Sequence, residues 1–397
     1  MSTRGLSRGH TEGMVEGMWS SLRERLSALL GGSRTPRRRI RVALPGRGPM
    51  KVVYDQAVVH ESYSFKSRVL QRTLRIVFKP VLRYTPINER SFAAIQAIDG
   101  LSARRRRSPH IAFEVHELGG VRVESMNHRH GPDSDMTLLY LHGGGFFSGS
   151  IQTHRRICER LALKTGATVI SVDYVQLPVG AIADSVNDVI TAYAALVEES
   201  DHPDKIVVAG DSAGGYLTMK VAELATRRGL PAPAALLGFS PLLSVDPERQ
   251  DKAVERAIRA SDAYLPVQRL AKIRERWLPE DARIEGYASP LHASAYISSP
   301  TFLVAVEDEF LRPEVEAMAL LLSARGVEVE THLWRKQVHA FPVLADALPE
   351  GEMALQLAAD FARRAIGELD RAPVRDPESH EETMSGAVAT DQGDSAA

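Results

Sequence analysis

Residues 207 to 224 read VVAGDSAGGYLTMKVAEL. The run opens with the continuous apolar character of a strand buried on both faces and closes with helical spacing. Between the two, Ser212 sits in a Gly-x-Ser-x-Gly frame from Gly210 to Gly214. A chain that turns sharply from strand into helix at a serine strains that residue's backbone, and the positions two before and two after it have no room for a Cβ. The turn lifts the hydroxyl clear of the sheet and points a helix N-terminus at any negative charge that develops beside it. The Ala213 N–H is then in place to donate to that charge.

A second stretch, LLYLHGGGFFSGS at 138 to 150, carries three consecutive glycines after a strand. Glycine weakens any helix or strand it interrupts, so bare backbone N–H groups are what the position supplies. They suit either a bound phosphate or a transient oxyanion. A phosphate cradle calls for a lysine or a G-x-G-x-x-G helix start, and neither is present. A loop that faces a serine turn and supplies the remaining oxyanion donors accounts for it.

Outward from these motifs the chain alternates strand and helix from about 111, which predicts an α/β fold with a mainly parallel sheet. IAFEVHE, GG and VRVES read as an edge hairpin. MTLLYL, ATVISVD, KIVVAG, AALLGFSP, TFLVAVE and VEVETHLW read as strands, with helices at HRRICERLALKTG, SVNDVITAYAALVEES and 352–365. Two segments stand outside the alternation. One is 61–105, where Val69, Leu70, Leu74, Val77, Val81 and Leu82 recur at helical spacing among Arg and Lys. The other runs from 245 to 287, with helical patterns DKAVERAIRAS and PVQRLAKIRERWL. Both are expected to pack as a cap. A basic amphipathic helix on a membrane surface is the alternative for the first, opposed by Pro80, which breaks its stripe.

The chain has 397 residues, 44% of them hydrophobic, with 49 basic against 50 acidic side chains. That balance describes an enzyme-sized globular chain and gives no support for a nucleic-acid partner. Arg104 to Arg107 read as a solvated linker, and the basic first 50 residues and polar last 25 as tails. The one cysteine, Cys158, excludes an internal disulfide and fits a reducing compartment. No apolar run is long enough to span a bilayer and no secretory leader is evident, so a cytoplasmic location is expected.

A serine nucleophile needs a base, and most of the 13 histidines are poorly placed for it. His332 lies within an alternating strand, and His128 and His130 sit in a polar loop. His339, in WRKQVHAFPV, follows the last strand. A carboxylate is expected after TFLVAV, in EDEFLRPEVEAM.

Together HGGGF and GDSAGG resemble the bacterial hormone-sensitive-lipase-like family of α/β-hydrolases, over about 110 to 370. The resemblance implies oxyanion donors at Gly144, Gly145 and Ala213, a bracing role for His142, and a cap built from an N-terminal segment and an insertion. It puts the base at His339, where Ala340 replaces the family's usual glycine. Aligning Leu311, Arg312 and Glu314 without a gap puts Glu309 on the position of the acid, with Asp308 as the alternative. In SVDYVQLPVG, Asp173, Tyr174 and Pro178 keep the family pattern, while Val175 and Val179 stand in place of an arginine and a glutamate and read as a lost ion pair.

The reading is an α/β-hydrolase fold, a mainly parallel central sheet flanked by helices with a helical cap. Residues 1–50 form a basic N-terminal segment, 51–107 the first part of the cap, 108–372 the catalytic domain with a cap insertion at about 245–287, and 373–397 a tail. The expected activity is that of a serine carboxylester hydrolase on short- to medium-chain or aromatic esters, with no metal or cofactor. Phe146, Phe147 and Tyr216 line an acyl pocket or pack in the core. An amide deacetylase, an acyltransferase and a non-catalytic binding protein are the alternatives. The expected partner is a small ester; peripheral membrane contact and the oligomeric state stay open.

Overall fold

Central strands of a parallel sheet are covered by helices on both faces, which is why Ile206–Asp211 is buried at every residue. The computed structural model describes residues 38–44 and 47–54 as backbone, then 56–100, 107–245, 262–263, 265, 269–279 and 283–368. The predicted helix at DKAVERAIRAS, the tail from 373 and residues 1–37 lie outside the described residues.

The strands are β1 (Arg38–Leu44), β2 (Arg47–Tyr54), β3 (Val58–His60), β4 (Ile111–Leu118), β5 (Val121–His128), β6 (Thr137–Leu141), β7 (Thr168–Val172), β8 (Ile206–Asp211), β9 (Ala235–Phe239), β10 (Thr301–Val306) and β11 (Val329–Trp334). The helices are α1 (Phe65–Thr73), α2 (Lys79–Tyr84), α3 (Glu89–Asp99), α4 (Arg155–Thr165), α5 (Ile182–Glu199), α6 (Ser212–Arg228), α7 (Leu270–Trp277), α8 (Arg312–Ser323) and α9 (Pro349–Ala365). A π-helical turn, Leu74–Phe78, joins α1 to α2. No described helix is long and apolar enough to cross a membrane.

Nine strands form one sheet in the order β3-β11-β10-β9-β8-β6-β7-β5-β4. The β4–β5 and β5–β7 pairs are antiparallel and the rest parallel. Alternate residues of each strand feed two cores. Leu139, Leu141, Val208, Leu236 and Leu303 pack under α5, α6 and α8. Leu138, Tyr140, Val207, Leu237 and Phe302 pack under α4 and α9, with Cys158 buried among them. The chain leaves the carboxyl ends of β6, β8, β10 and β11 directly into the glycine loop, Ser212, the 307–311 turn and the His339 loop. These ends are where open α/β sheets hold their sites.

The structure corrects two expectations for the N-terminal region. Residues 38–54, read partly as a solvated basic tail, include an antiparallel hairpin of β1 and β2. Ile40, Val42 and Leu44 recur every second residue with Arg41 and Ala43 between them, a strand period that the basic composition masked. Residues 58–60, assigned to the cap, instead add β3 in parallel to β11, with His332 opposite Val58. The strand is anchored by His60, whose Nε2 lies 2.9 Å from His332 Nδ1 and whose ring stacks on Trp334 at 3.8 Å.

Beyond β3 the N-terminal segment meets the insertion. Lys79 Nζ donates to the Asp262 carbonyl, and Arg269 Nη1 donates to the carbonyls of Leu82 and Arg83 at 3.0 Å each. Asp262 in turn accepts from Phe310 N at 2.9 Å, one residue beyond Glu309. Further along, Asp99 accepts from Gly149 N at 2.7 Å and Phe92 stacks on Phe147 at 4.8 Å.

Candidate active site

Ser212 has φ +50°, a left-handed backbone that non-glycine residues rarely adopt. The strain is imposed by close packing. A Cβ on Gly214 would lie 1.8 Å from the Leu141 carbonyl oxygen, and one on Gly210 would lie 2.5 Å from Gly214. The strand–serine–helix turn therefore admits only glycine two positions before and two after the serine, and α6 begins at the serine itself.

Ser212 Oγ lies 2.8 Å from His339 Nε2, and His339 Nδ1 lies 2.9 Å from Glu309 Oε2. The other carboxylate oxygen of Glu309 accepts from Val306 N at 2.8 Å. Its extra methylene, compared with aspartate, is taken up by folding back over the turn that ends β10. Asp308 faces away, toward Lys336 Nζ at 3.2 Å. With a proton on Nδ1 directed at Glu309, His339 leaves Nε2 to accept from the serine hydroxyl. Burial alone would lower the His339 pKa; the hydrogen bond and charge of Glu309, with Asp262 and Asp211 behind, outweigh it and hold the pKa above its ordinary value.

The loop after β6 is locked from beneath. His142 Nδ1 donates to Gly143 O at 2.8 Å, fixing the peptide plane that carries the Gly144 N–H. Gly144 O accepts from Ser148 N at 3.0 Å and from Ser148 Oγ at 2.8 Å, fixing the plane that carries the Gly145 N–H. Gly144 has φ +124°, and a Cβ there would lie 1.9 Å from Ser148 O. Among the described residues the N–H groups of Gly144, Gly145 and Ala213 find no acceptor. Ser212, which precedes Ala213, is half-buried. Burial lowers the His142 pKa to about 3, with the nearby His154 adding to it, so the bracing imidazole is neutral.

Three residues in this frame escaped sequence reasoning. Asp211, buried beside the serine, accepts from Gly143 N at 3.0 Å and Tyr140 OH at 2.8 Å and lies 3.4 Å from His154 Nε2. Burial would raise its pKa, but His154, Tyr140 and Gly143 N–H hold it lowered. Its signal was available, since a carboxylate between a buried strand and a strained serine requires partners. Trp277 Nε1 donates to Gly145 O at 2.8 Å across 132 residues of sequence, and Asp262 reaches Phe310. Neither contact leaves a local trace in sequence.

A serine–histidine–carboxylate chain beside three unpaired backbone donors fits nucleophilic acyl transfer. A family model described as the α/β hydrolase fold matches residues 138–343. The chain is 30% identical over 232 residues to an acetyl-hydrolase of Streptomyces hygroscopicus, covering 58% of this chain and 77% of that one. It is 32% identical over 236 residues to esterase LipU of Mycobacterium tuberculosis, covering 58% and 78%. A crystal structure of an esterase from the bacterial hormone-sensitive lipase family superposes with TM-score 0.65 at 25% identity, covering 77% of this chain and all of that one. The chain belongs to the hormone-sensitive-lipase-like family of α/β-hydrolases. It is a hydrolase of the esterase and lipase type.

Within this hydrolase, Phe146 and Tyr216 are core residues. Phe146 is fully buried, edge-on to Tyr216 at 5.5 Å and to Trp277 at 5.8 Å. Phe147 is only half-buried. At the two positions where the family carries an ion pair, Val175 N donates to Asp188 at 2.8 Å and Val179 is exposed.

Proposed function

We propose that the hydrolase cleaves carboxylic esters through Ser212, His339 and Glu309. The observation that carries this reading is the unbroken hydrogen-bonded chain from Ser212 Oγ through His339 to Glu309. Ser212 Oγ attacks the ester carbonyl carbon while its proton passes to His339 Nε2. The carbonyl oxygen becomes an oxyanion held by the N–H groups of Gly144, Gly145 and Ala213. As the tetrahedral species collapses, the carbon–oxygen bond to the alcohol breaks and His339 returns the proton to the leaving oxygen. Water then attacks the acyl-enzyme, giving its proton to His339, and the acid is released as Ser212 regains a proton. Glu309 holds the imidazole in the required tautomer and stabilises its transient charge. No step calls for a metal or a redox cofactor.

Short acyl groups are the preferred substrates in this reading. An acetyl-hydrolase stands among the relatives, and the half-buried Phe147, two residues after the glycine loop's Gly145, is held by stacking on Phe92. The test combines a fluorophosphonate label with a chain-length series of p-nitrophenyl esters. The wild type should be labelled at Ser212 and favour short chains. Ser212→Ala should remain folded, escape labelling and lose on the order of 10⁴-fold or more in kcat. Wild-type turnover in that variant would end the proposal.

A further inference from the structure

Among the described residues, the helical stretch from Phe65 to Tyr84 packs on the core by one side. Ser67 is buried, its Oγ 2.6 Å from Gln337 Oε1 and donating to Lys336 O at 3.1 Å. Leu70 and Leu74 pack against the core beneath α4 and α9, and Leu82 is half-buried. The opposite side is unlike an ordinary protein surface. Phe65 is 72% exposed, Ile76 72%, Val81 58% and Tyr84 75%, with Val69, Val77 and Phe78 exposed between them. Contiguous apolar patches of this kind mark interaction sites.

The charge on the same stretch selects the partner. Lys66, Arg68, Arg72, Arg75, Lys79 and Arg83 fall between Phe65 and Tyr84 with no acidic residue among them. Lys66, Arg68, Arg72 and Arg83 have no carboxylate partner among the described residues. Arg68 lies 5.7 Å from the Tyr63 ring and 6.0 Å from that of Phe65, and Arg83 lies 5.7 Å from that of Tyr84. Cations and large apolar groups thus share one exposed side. A nucleic acid would pair with the cations and leave the apolar side chains in water. An anionic lipid surface answers both, with phosphate at the level of the guanidinium groups and hydrocarbon below it.

We infer that residues 65–84 dock this protein on anionic lipid bilayers. Phe65, Val69, Ile76, Val81 and Tyr84 enter the boundary between headgroups and acyl chains, and the arginines stay among the phosphates. Through Lys79 and Arg269 the docked stretch is joined to the insertion, and through Asp262 to the turn that carries Glu309. The inference does not depend on the assignment of the triad, because its readout is binding.

The full-length protein would be sedimented with vesicles of phosphatidylcholine containing about 30 mol % phosphatidylglycerol and with vesicles of phosphatidylcholine alone. The wild type should bind the anionic vesicles and release them at about 0.5 M salt. Binding should fall at least about tenfold on the neutral vesicles and in Arg68→Glu/Arg72→Glu, and should return in Arg68→Lys/Arg72→Lys. Phe65→Ser/Ile76→Ser should lose binding as well. All variants should keep the wild-type melting temperature and p-nitrophenyl acetate turnover, since none of these residues reaches the site. Failure of the wild type to bind, or equal binding by the charge-reversed and serine variants, overturns the inference. So does a wild-type dimer that Phe65→Ser/Ile76→Ser dissolves, which would make the patch a subunit interface.

Discussion

Glu309 divides its carboxylate between the end of β10 and His339, and that division gives two expectations. Glu309→Gln should lower kcat at least about a hundredfold, whereas Asp308→Asn, directed at Lys336, should cost less than about tenfold. The reverse order in steady-state kinetics would move the acid to Asp308. The pH dependence follows from the signs. His339 acts as a base only when neutral, so kcat/KM rises as the pH passes its pKa, which Glu309 holds above the ordinary value. Without that charge, burial dominates and the pKa falls, so the acid limb of the Glu309→Gln profile should move to lower pH. Ala340 offers a stability test. Its φ of +53° is left-handed, which costs an alanine about 1 kcal/mol or more. Ala340→Gly should raise stability by up to about 1 kcal/mol in urea denaturation, with kcat unchanged. Lower stability would mean that the Cβ contacts outweigh the strain. At this scale Ser212 and His339 were legible because each sits in a local pattern. Glu309 was preferred over Asp308 only through the match of Leu311, Arg312 and Glu314 to the family pattern, because alternation stops at Val306 and the turn decides which carboxylate faces inward.

Among the elements, α7 has an influence out of proportion to its eight residues. Its Trp277 donates to Gly145 O and closes over Phe146, so the insertion helps hold the loop that carries two of the proposed oxyanion donors. A neutral hydrogen bond of about 1 kcal/mol corresponds to about fivefold in rate. Trp277→Phe keeps the packing and removes the N–H, so kcat should fall about three- to tenfold with KM little changed. An unchanged kcat would reduce the contact to a fastening of the insertion. The central strands were legible as continuous apolar runs, and the edge pair β4 and β5 as an alternating hairpin around two glycines. β3 was missed because three residues carry no period, and its identity as a strand comes entirely from the partner it meets on β11.

For the molecule as a whole, the N-terminal segment both completes the sheet and reaches the insertion. A chain shortened to begin at residue 62 would leave the β11 edge unpaired, and unpaired edges recruit other chains. It should self-associate in size-exclusion chromatography where the full chain does not gain mass over the same concentrations; identical elution would make β3 dispensable. The pairing also sets an order of events during synthesis. His60 and its partner His332 are 272 residues apart, and at about 5–20 residues per second the ribosome needs on the order of tens of seconds to pass from one to the other. Val58–His60 therefore emerges long before anything exists for it to pair with. The outermost strand of the sheet is made among the first and seated among the last, so the nascent hydrolase closes its edge only as the His339 loop leaves the ribosome.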